Sequence, residues 1–332
     1  MRKSRNTKRS WRFVLLEPSE FKVKHMKNGR NWIGFVIVHV IFIGVWGALI
    51  EIPEKNGFPA TLGYVVWALT MIPASVMGLI IMKGKLEYDR RSIFLGGMVG
   101  MLGAAGQLVL FFTLKIAPAY LVFPLLSLTP VVTILLAVAF LKEKTGRLGW
   151  LGILIAIVAV LMLSYQPSGE GTVQGYLWMA LTAISLVAWG AQGYIMRFAN
   201  TTMKAESIFF YMAVSSVLLI PVALYMTDFS QPINYGFDGP YLAAMIQILN
   251  AFGALCLVYA FRYGKAIIIA PMTTALSPVL TVVISLAIYA FIPHPVIIAG
   301  MVLAIVSALM MGLEETKSER AEKESVWVSR EP

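Results

Sequence analysis

The chain has 332 residues, of which 58% are hydrophobic and 13% charged, and its formal net charge is +10. Soluble domains carry roughly a quarter charged residues and just under half apolar ones, so this balance argues against a soluble fold. The basic residues lie between apolar runs and at the termini, which argues against a nucleic-acid footprint, and the single cysteine, Cys256, rules out an internal disulfide.

In chain order, a basic N-terminal arm (1–31) holds ten Lys or Arg around Trp11, Phe13, Leu15 and Leu16. It is either a tail that fixes topology or an anchor on anionic lipid. No small-residue cleavage pattern follows the first apolar run, so that run is expected to be a retained span rather than a signal. Apolar runs and polar breaks then predict ten transmembrane helices near 32–50, 61–82, 92–114, 118–141, 147–165, 174–197, 205–227, 240–261, 266–291 and 295–313. The breaks carry turn residues, as in EIPEKNGFPA, QPSGEGTVQG and TDFSQPINYGFDGP. The charged segment 314–332 is poor in apolar residues and is expected to be a disordered cytoplasmic tail.

With the N-terminus in the cytoplasm, all Lys and Arg except Lys55 and Lys115 fall on the inner side. This bias predicts a multi-pass protein of the inner membrane with both termini cytoplasmic.

The segment beginning LTPVVTILLAVAF at Leu128 returns as LSPVLTVVISLAIY at Leu276. An offset of 148 pairs Pro130 with Pro278, Thr133 with Thr281, Gly152 with Gly300 and Ile72-Pro73 with Ile220-Pro221. Slightly smaller offsets pair Val-Trp-Gly-Ala at 45–48 with Ala-Trp-Gly-Ala at 188–191, and Gly106 with Gly253. The fold class expected is therefore an all-α integral membrane protein whose ten helices form two five-helix repeats, 32–165 and 174–313. Because five is odd, the second repeat enters the membrane from the opposite side and the repeats are inverted, an arrangement that supports alternating access in many transporters. The charged turn FLKEKTGR and its uncharged counterpart YAFIPHPV then face opposite compartments, which explains their different charge.

The first-helix VWGA, the passage LVLFFTLKIAPAYLVFPLLSLTPVVTILLAVAFLKEKTG and the following LGWLGILIAIVAVLML resemble the EamA-type proteins of the drug/metabolite transporter superfamily. The resemblance runs from the first helix to the last and is looser in the second half. It implies a transporter of small molecules with ten helices. Glu143 fits the Glu that commonly follows the fourth helix in that family, whereas Phe291 occupies the aligned position after the ninth.

No phosphate-binding loop, dinucleotide fingerprint or metal-ligand spacing is present, so no cofactor, metal site or catalytic residue is expected. Candidate cavity residues are the embedded polar and aromatic groups, which are costly in hydrocarbon and normally face protein or water. His39 and Trp46, seven residues apart, share a face of the first helix. Thr182 and Trp189 occupy the equivalent positions on the sixth helix, with Ser185 and Gln192 flanking the stripe. Gly100, Gly103, Gln107 and Phe111 form a stripe on the third helix, and Gln247 and Asn250 stand at its offset-147 equivalents on the eighth. His39 is a proton-linked or substrate-contacting group, or a bond to a neighbouring helix. The two Trp either stack on substrate or pack, and Gln107, Gln192, Gln247 and Asn250 either specify substrate or join helices. Glu51 lies about 140° around the helix from Trp46 and is expected at a solvated mouth. Gly96, Gly100, Gly103 and Gly106 permit close packing, and Pro118, Pro124, Pro130, Pro271 and Pro278 loosen or kink their helices.

The function expected is a secondary transporter that exports a small metabolite or drug-like compound, with proton or counter-substrate coupling. Its partners are the substrate and the lipid bilayer, with no nucleic acid. The absence of embedded Lys or Arg argues against a strongly anionic substrate. The alternatives are a transport-inactive sensor or scaffold, and an integral membrane enzyme acting on lipid.

Overall fold

A computed structural model describes residues 31–117, 122, 125, 126, 128–163, 165, 176–289 and 294–328. The basic arm up to residue 30, Pro118, Pro124, the 166–175 connection and Phe291 lie outside the described residues. All regular structure among the described residues is helical. The helices are α1 (Asn31–Leu49), α2 (Glu51–Lys55), α3 (Ala60–Ile81), α4 (Arg90–Ile116), α5 (Thr129–Leu136), α6 (Arg147–Leu163), α7 (Leu177–Ala199), α8 (Ala205–Leu218), α9 (Ile220–Met226), α10 (Leu242–Tyr263), α11 (Ala266–Tyr289) and α12 (Pro295–Val328). Five-residue π-turns, Ala137–Leu141 and Phe237–Tyr241, continue α5 and precede α10.

Among the described residues, eight helical stretches are long and apolar enough to cross a membrane: Trp32–Lys55, Ala60–Ile81, Arg90–Thr113, Leu177–Ala199, Ala205–Met226, Phe237–Tyr263, Ala266–Ile284 and Pro295–Glu314. Two further apolar helices, Thr129–Leu141 and Arg147–Leu163, are shorter. They correspond to the fourth and fifth expected spans, and much of the fourth before Thr129 lies outside the described residues. The seventh expected span is interrupted at Leu219, between α8 and α9. Pro221 stands just after the break; its ring removes a backbone donor, as the equivalent Pro73 does within the unbroken α3.

The segment after Glu314, expected to be disordered, instead continues α12 as helix to Val328. Its Glu, Lys, Arg and Ala residues have high helix propensity, and extending an existing helix avoids a second nucleation. Low hydrophobicity alone did not decide its state.

Large apolar side chains cover the flanks: Ile80, Leu135 and Leu309 are each more than half exposed. On α1 the inward face carries Trp32, Val36 and His39, spaced four and three residues apart, while Ile37, Val38 and Ile41 point outward. An apolar exterior of this kind is matched to hydrocarbon rather than water.

The first half packs mainly on the second. α4 packs on α7 and α8, while α1 packs on α10 and α11; α3 lies against α8 and α10, α5 against α7, and α6 against α12. The α6–α12 seam rests on two small residues. A Cβ added to Gly152 would come 2.9 Å from Met311 Cγ, and one added to Gly300 would come 2.9 Å from Met162 Cβ. Each glycine lets the opposing helix approach its backbone, the usual means of close association where the surroundings are as apolar as the side chains.

Candidate functional site

Two antiparallel seams carry nearly all the sequence-derived candidates. Along α1 and α10, His39 Nδ1 bonds the Gly253 carbonyl at 2.9 Å and Trp46 Nε1 donates to Gln247 Oε1 at 2.9 Å. A carbonyl only accepts, so the His39 proton sits on Nδ1 in this contact. Residue numbers fall along α10 as they rise along α1, so the helices run in opposite directions.

Along α4 and α7 the same geometry recurs. Ser185 Oγ donates to the Gly106 carbonyl at 3.1 Å, Trp189 Nε1 to the Gly103 carbonyl at 3.2 Å, and Gln192 Nε2 to the Val99 carbonyl at 3.0 Å. Gly106 and Gly253, paired by the internal repeat, thus both accept a side-chain bond from the opposing half. A second pair of bonds mirrors across the halves: Thr133 Oγ1 donates to the Gly190 carbonyl at 2.9 Å and Thr281 Oγ1 to the Gly44 carbonyl at 3.1 Å.

Asn250, one turn beyond Gln247 on α10, accepts 2.8 Å from Trp67 Nε1 on α3. Tyr64 lies 5.2 Å, centroid to centroid, from Trp67 and meets Phe111 edge-on at 6.4 Å. Phe111 therefore joins the α1–α3–α10 group. His39, Trp46, Gln247 and Asn250 belong to that group as well, whereas Trp189 and Gln192 bond to the α4 backbone. The side chain of Gln107 makes no hydrogen bond among the described residues.

Trp67 and Tyr64 were not singled out in the sequence. Trp67 aligns with Ser215 through the Pro73–Pro221 register, so the repeat offered no matching aromatic. The usable signal was an indole N–H in the middle of an apolar helix, a donor that needs a buried acceptor. Ser185, noted only as a flanking residue, is fully buried and bridges α7 to α4.

The two ends of the bundle differ. At one end Glu143, held after the π-turn by the left-handed Lys142 (φ 53°), accepts from Arg197 Nε at 2.9 Å and from the Ile267 amide at 3.1 Å. Arg197 Nη1 also donates to the carbonyls of Phe261 at 2.9 Å and Arg262 at 3.1 Å. One partly buried ion pair thereby ties the end of α5 to α7, to the C-terminus of α10 and to the first turn of α11, where free amides favour a carboxylate. Nearby, Glu87 accepts 2.6 Å from the Lys204 amide, donates its own amide to Ser207 Oγ at 3.3 Å, and receives Tyr211 OH on its carbonyl at 2.6 Å. Outside the spans, Asp89 caps α4 through the amides of Arg91 and Ser92, and the Ser92 hydroxyl with those amides holds its carboxyl below the usual carboxylate range.

At the opposite end the contacts are exposed. Asn234 donates through Nδ2 to the Asn56 carbonyl at 2.9 Å and through its amide to the Gly57 carbonyl at 3.1 Å. Glu51, as expected of a mouth residue, is largely exposed and pairs with Lys55 at 2.8 Å.

Comparison with known proteins accords with this architecture. One solved crystal structure superposes with a TM-score of 0.69 over 84% of this chain and 98% of its own, at 15% identity, a likeness of fold alone. The Pseudopaline exporter CntI of Pseudomonas aeruginosa (strain UCBPP-PA14) is 23% identical over 247 residues, 74% of this chain and 84% of that protein. A Probable magnesium transporter of Candida albicans (strain SC5314 / ATCC MYA-2876) is 37% identical over 82 residues, 24% of this chain and only 22% of that protein's length. The model of the EamA-like transporter family matches residues 30–165 and again 174–313. With both matches spanning most of its length and its helices apolar enough for repeated membrane crossing, the chain is a multi-pass membrane protein that belongs to the EamA-like transporter family.

Proposed function

We propose that this chain is a secondary transporter that exports a small metabolite or drug-like compound across the inner membrane by alternating access, with ten spans in two inverted repeats, 32–165 and 174–313, and both termini cytoplasmic. The observation that carries the proposal is the paired seam. The first helix of each half lies antiparallel on the third helix of the other, and Trp46 and Trp189, at equivalent positions of the repeat, each donate across their seam. Contacts that exchange partners when the halves are exchanged allow two conformations of similar energy, each open to a different side. The similarity to an exporter over 74% of the chain supports the direction.

In this reading the substrate site lies between the seams, lined by His39, Trp46, Gln107, Phe111, Trp189, Gln192, Gln247 and Asn250, and takes a neutral, zwitterionic, aromatic or cationic compound. The Glu143–Arg197 pair with Glu87 forms the closed cytoplasmic gate, and the Asn56–Asn234 contacts form the outer one. Separating a partly buried ion pair that also holds the Ile267 amide and two carbonyls costs more than breaking exposed amide bonds, so outward opening is the easier step. Inward opening requires the Glu143–Arg197 pair to separate or move as a unit. Coupling runs through proton exchange at His39 or through counter-substrate.

Flux in proteoliposomes, screened against a compound library, tests the proposal. Movement of at least one compound, reduced in His39→Ala and Trp46→Ala proteins, is the expected result. If nothing moves and neither substitution alters efflux from cells, the proposal fails.

A further inference from the structure

The hydrogen bonds between indoles and amides on α10 determine which chemical face those amides turn to a ligand. An indole N–H can only donate, so the atom it meets on Gln247 or Asn250 must be the amide oxygen. Trp46 therefore occupies Gln247 Oε1 and Trp67 occupies Asn250 Oδ1. What remains on each side chain is an NH2 group with two donors. Neither nitrogen has a protein acceptor among the described residues. Neither is sealed in the core either, since the buried side-chain atoms without partners there are Thr145 Oγ1, Asn200 Oδ1 and Ser277 Oγ. The two amides stand three residues apart, on one face of α10, where such neighbours lie about 5–6 Å apart at Cβ.

Gln192 on the other seam is set the opposite way. The Val99 carbonyl takes its Nε2, which leaves the oxygen free. The α10 side of the site is thus the donor side.

We infer that Gln247 and Asn250, oriented by Trp46 and Trp67, form a donor pair that reads a planar acceptor group, the oxygen atoms of a carboxylate or carbonyl, on a small ligand whose apolar body lies against the indoles. The inference rests on the transport site proposed above and narrows the compounds it takes to those that carry such oxygens, a monocarboxylate included and a simple amine excluded. Amide donors satisfy such oxygens without a cation, which suits a seam whose bonds are made by imidazole, indole and amide groups. Trp46 and Trp67 act here as positioning residues, because each holds an amide that could otherwise turn and present its oxygen.

The test uses the full chain in lipid nanodiscs with three probes of matched size: benzoate, benzamide and benzylamine. Binding is read by tryptophan fluorescence and by the thermal unfolding midpoint, since a ligand of the folded state raises that midpoint. Benzoate and benzamide are expected to bind and benzylamine is not. Gln247→Glu keeps an oxygen for Trp46 but replaces the donor nitrogen with a second acceptor. It should weaken benzoate binding about tenfold or more and confer benzylamine binding, and Asn250→Asp should act in the same direction. Trp46→Phe should narrow the preference for benzamide over benzylamine, which loss of packing alone would not do.

The inference is overturned if wild-type protein binds none of the acceptor probes, or binds benzylamine as tightly as benzamide. It is also overturned if the Glu and Asp variants, unfolding at the wild-type temperature without ligand, bind benzoate as wild type does. Flux measured in parallel separates the two proposals. Probes that bind in the expected order while no compound is moved defeat transport and leave recognition standing. Flux of acceptor-bearing compounds that is indifferent to both amides defeats recognition and leaves transport standing.

Discussion

α4 and α10 occupy equivalent places in the two repeated segments, yet they meet the opposing half with different chemistry. At the positions where α10 carries Gln247 and Asn250, α4 carries Gly100 and Gly103. The glycines let α7 and α8 come so close that Trp189 and Gln192 bond the α4 backbone itself. On α10 the amides hold the partner indoles through side chains. One repeat position thus makes a tight helix contact in the first half and a polar surface with spare donors in the second. The family model matches both halves, yet at these two positions one half packs backbone against helix and the other bonds through side chains.

The largest expected effect concerns how α10 is anchored at its far end. Arg197→Ala removes the ion-pair partner of the partly buried Glu143 and frees the Phe261 and Arg262 carbonyls, with an expected loss of about 1.5–3 kcal/mol. A fall in the unfolding midpoint would register it, and a midpoint within a degree of wild type would remove the pair from the gate. Gly100→Leu comes next, because even a Cβ there would lie 2.7 Å from the Tyr211 carbonyl oxygen, an atom of a packed backbone. We expect a loss of about 1–3 kcal/mol. Gln247→Leu, at the equivalent α10 position, should instead alter ligand binding more than stability. Similar stability losses at both positions would erase the contrast between the helices.

Smaller effects sharpen it. Trp46→Phe leaves a buried amide oxygen unpaired and should cost about 1 kcal/mol, whereas Trp189→Phe frees a backbone carbonyl that keeps its place in the α4 ladder and should cost less. Denaturation of the two variants side by side would distinguish them. The smallest effect is at Asp89, whose cap makes its carboxyl more acidic in the folded state than in the unfolded chain. A depressed value means the stabilisation is fully present above the ordinary aspartate range and is lost as pH falls through and below it. Asp89→Asn should therefore lower stability slightly at neutral pH and no longer do so in acid; a pH-independent difference would contradict the assignment.

Much of the scaffold was legible because its signals are local. Apolar runs mark the helices, and proline and glycine spacing marks the repeat, as Gly152 and Gly300 illustrate when each meets the other's helix. The same apolar measure misjudged the segment after Glu314, where helix propensity and continuity with α12 prevailed. At the site, the equivalent positions of Trp46 and Trp189 pointed to a shared role. Trp67 lacked an equivalent in the second half and emerged only from its bond to Asn250.

The sequence by itself determined that apolar helices cross a bilayer and that one helix set recurs, because hydropathy and spacing are properties of neighbouring residues. Only the tertiary structure decided that Glu143 reaches Arg197 and the first turn of α11, and that Gln247 and Asn250 spend their oxygens on indoles and retain their donors. Those choices join residues tens to hundreds of positions apart, and a hydrogen bond forms only where packing has brought donor and acceptor within about 3 Å.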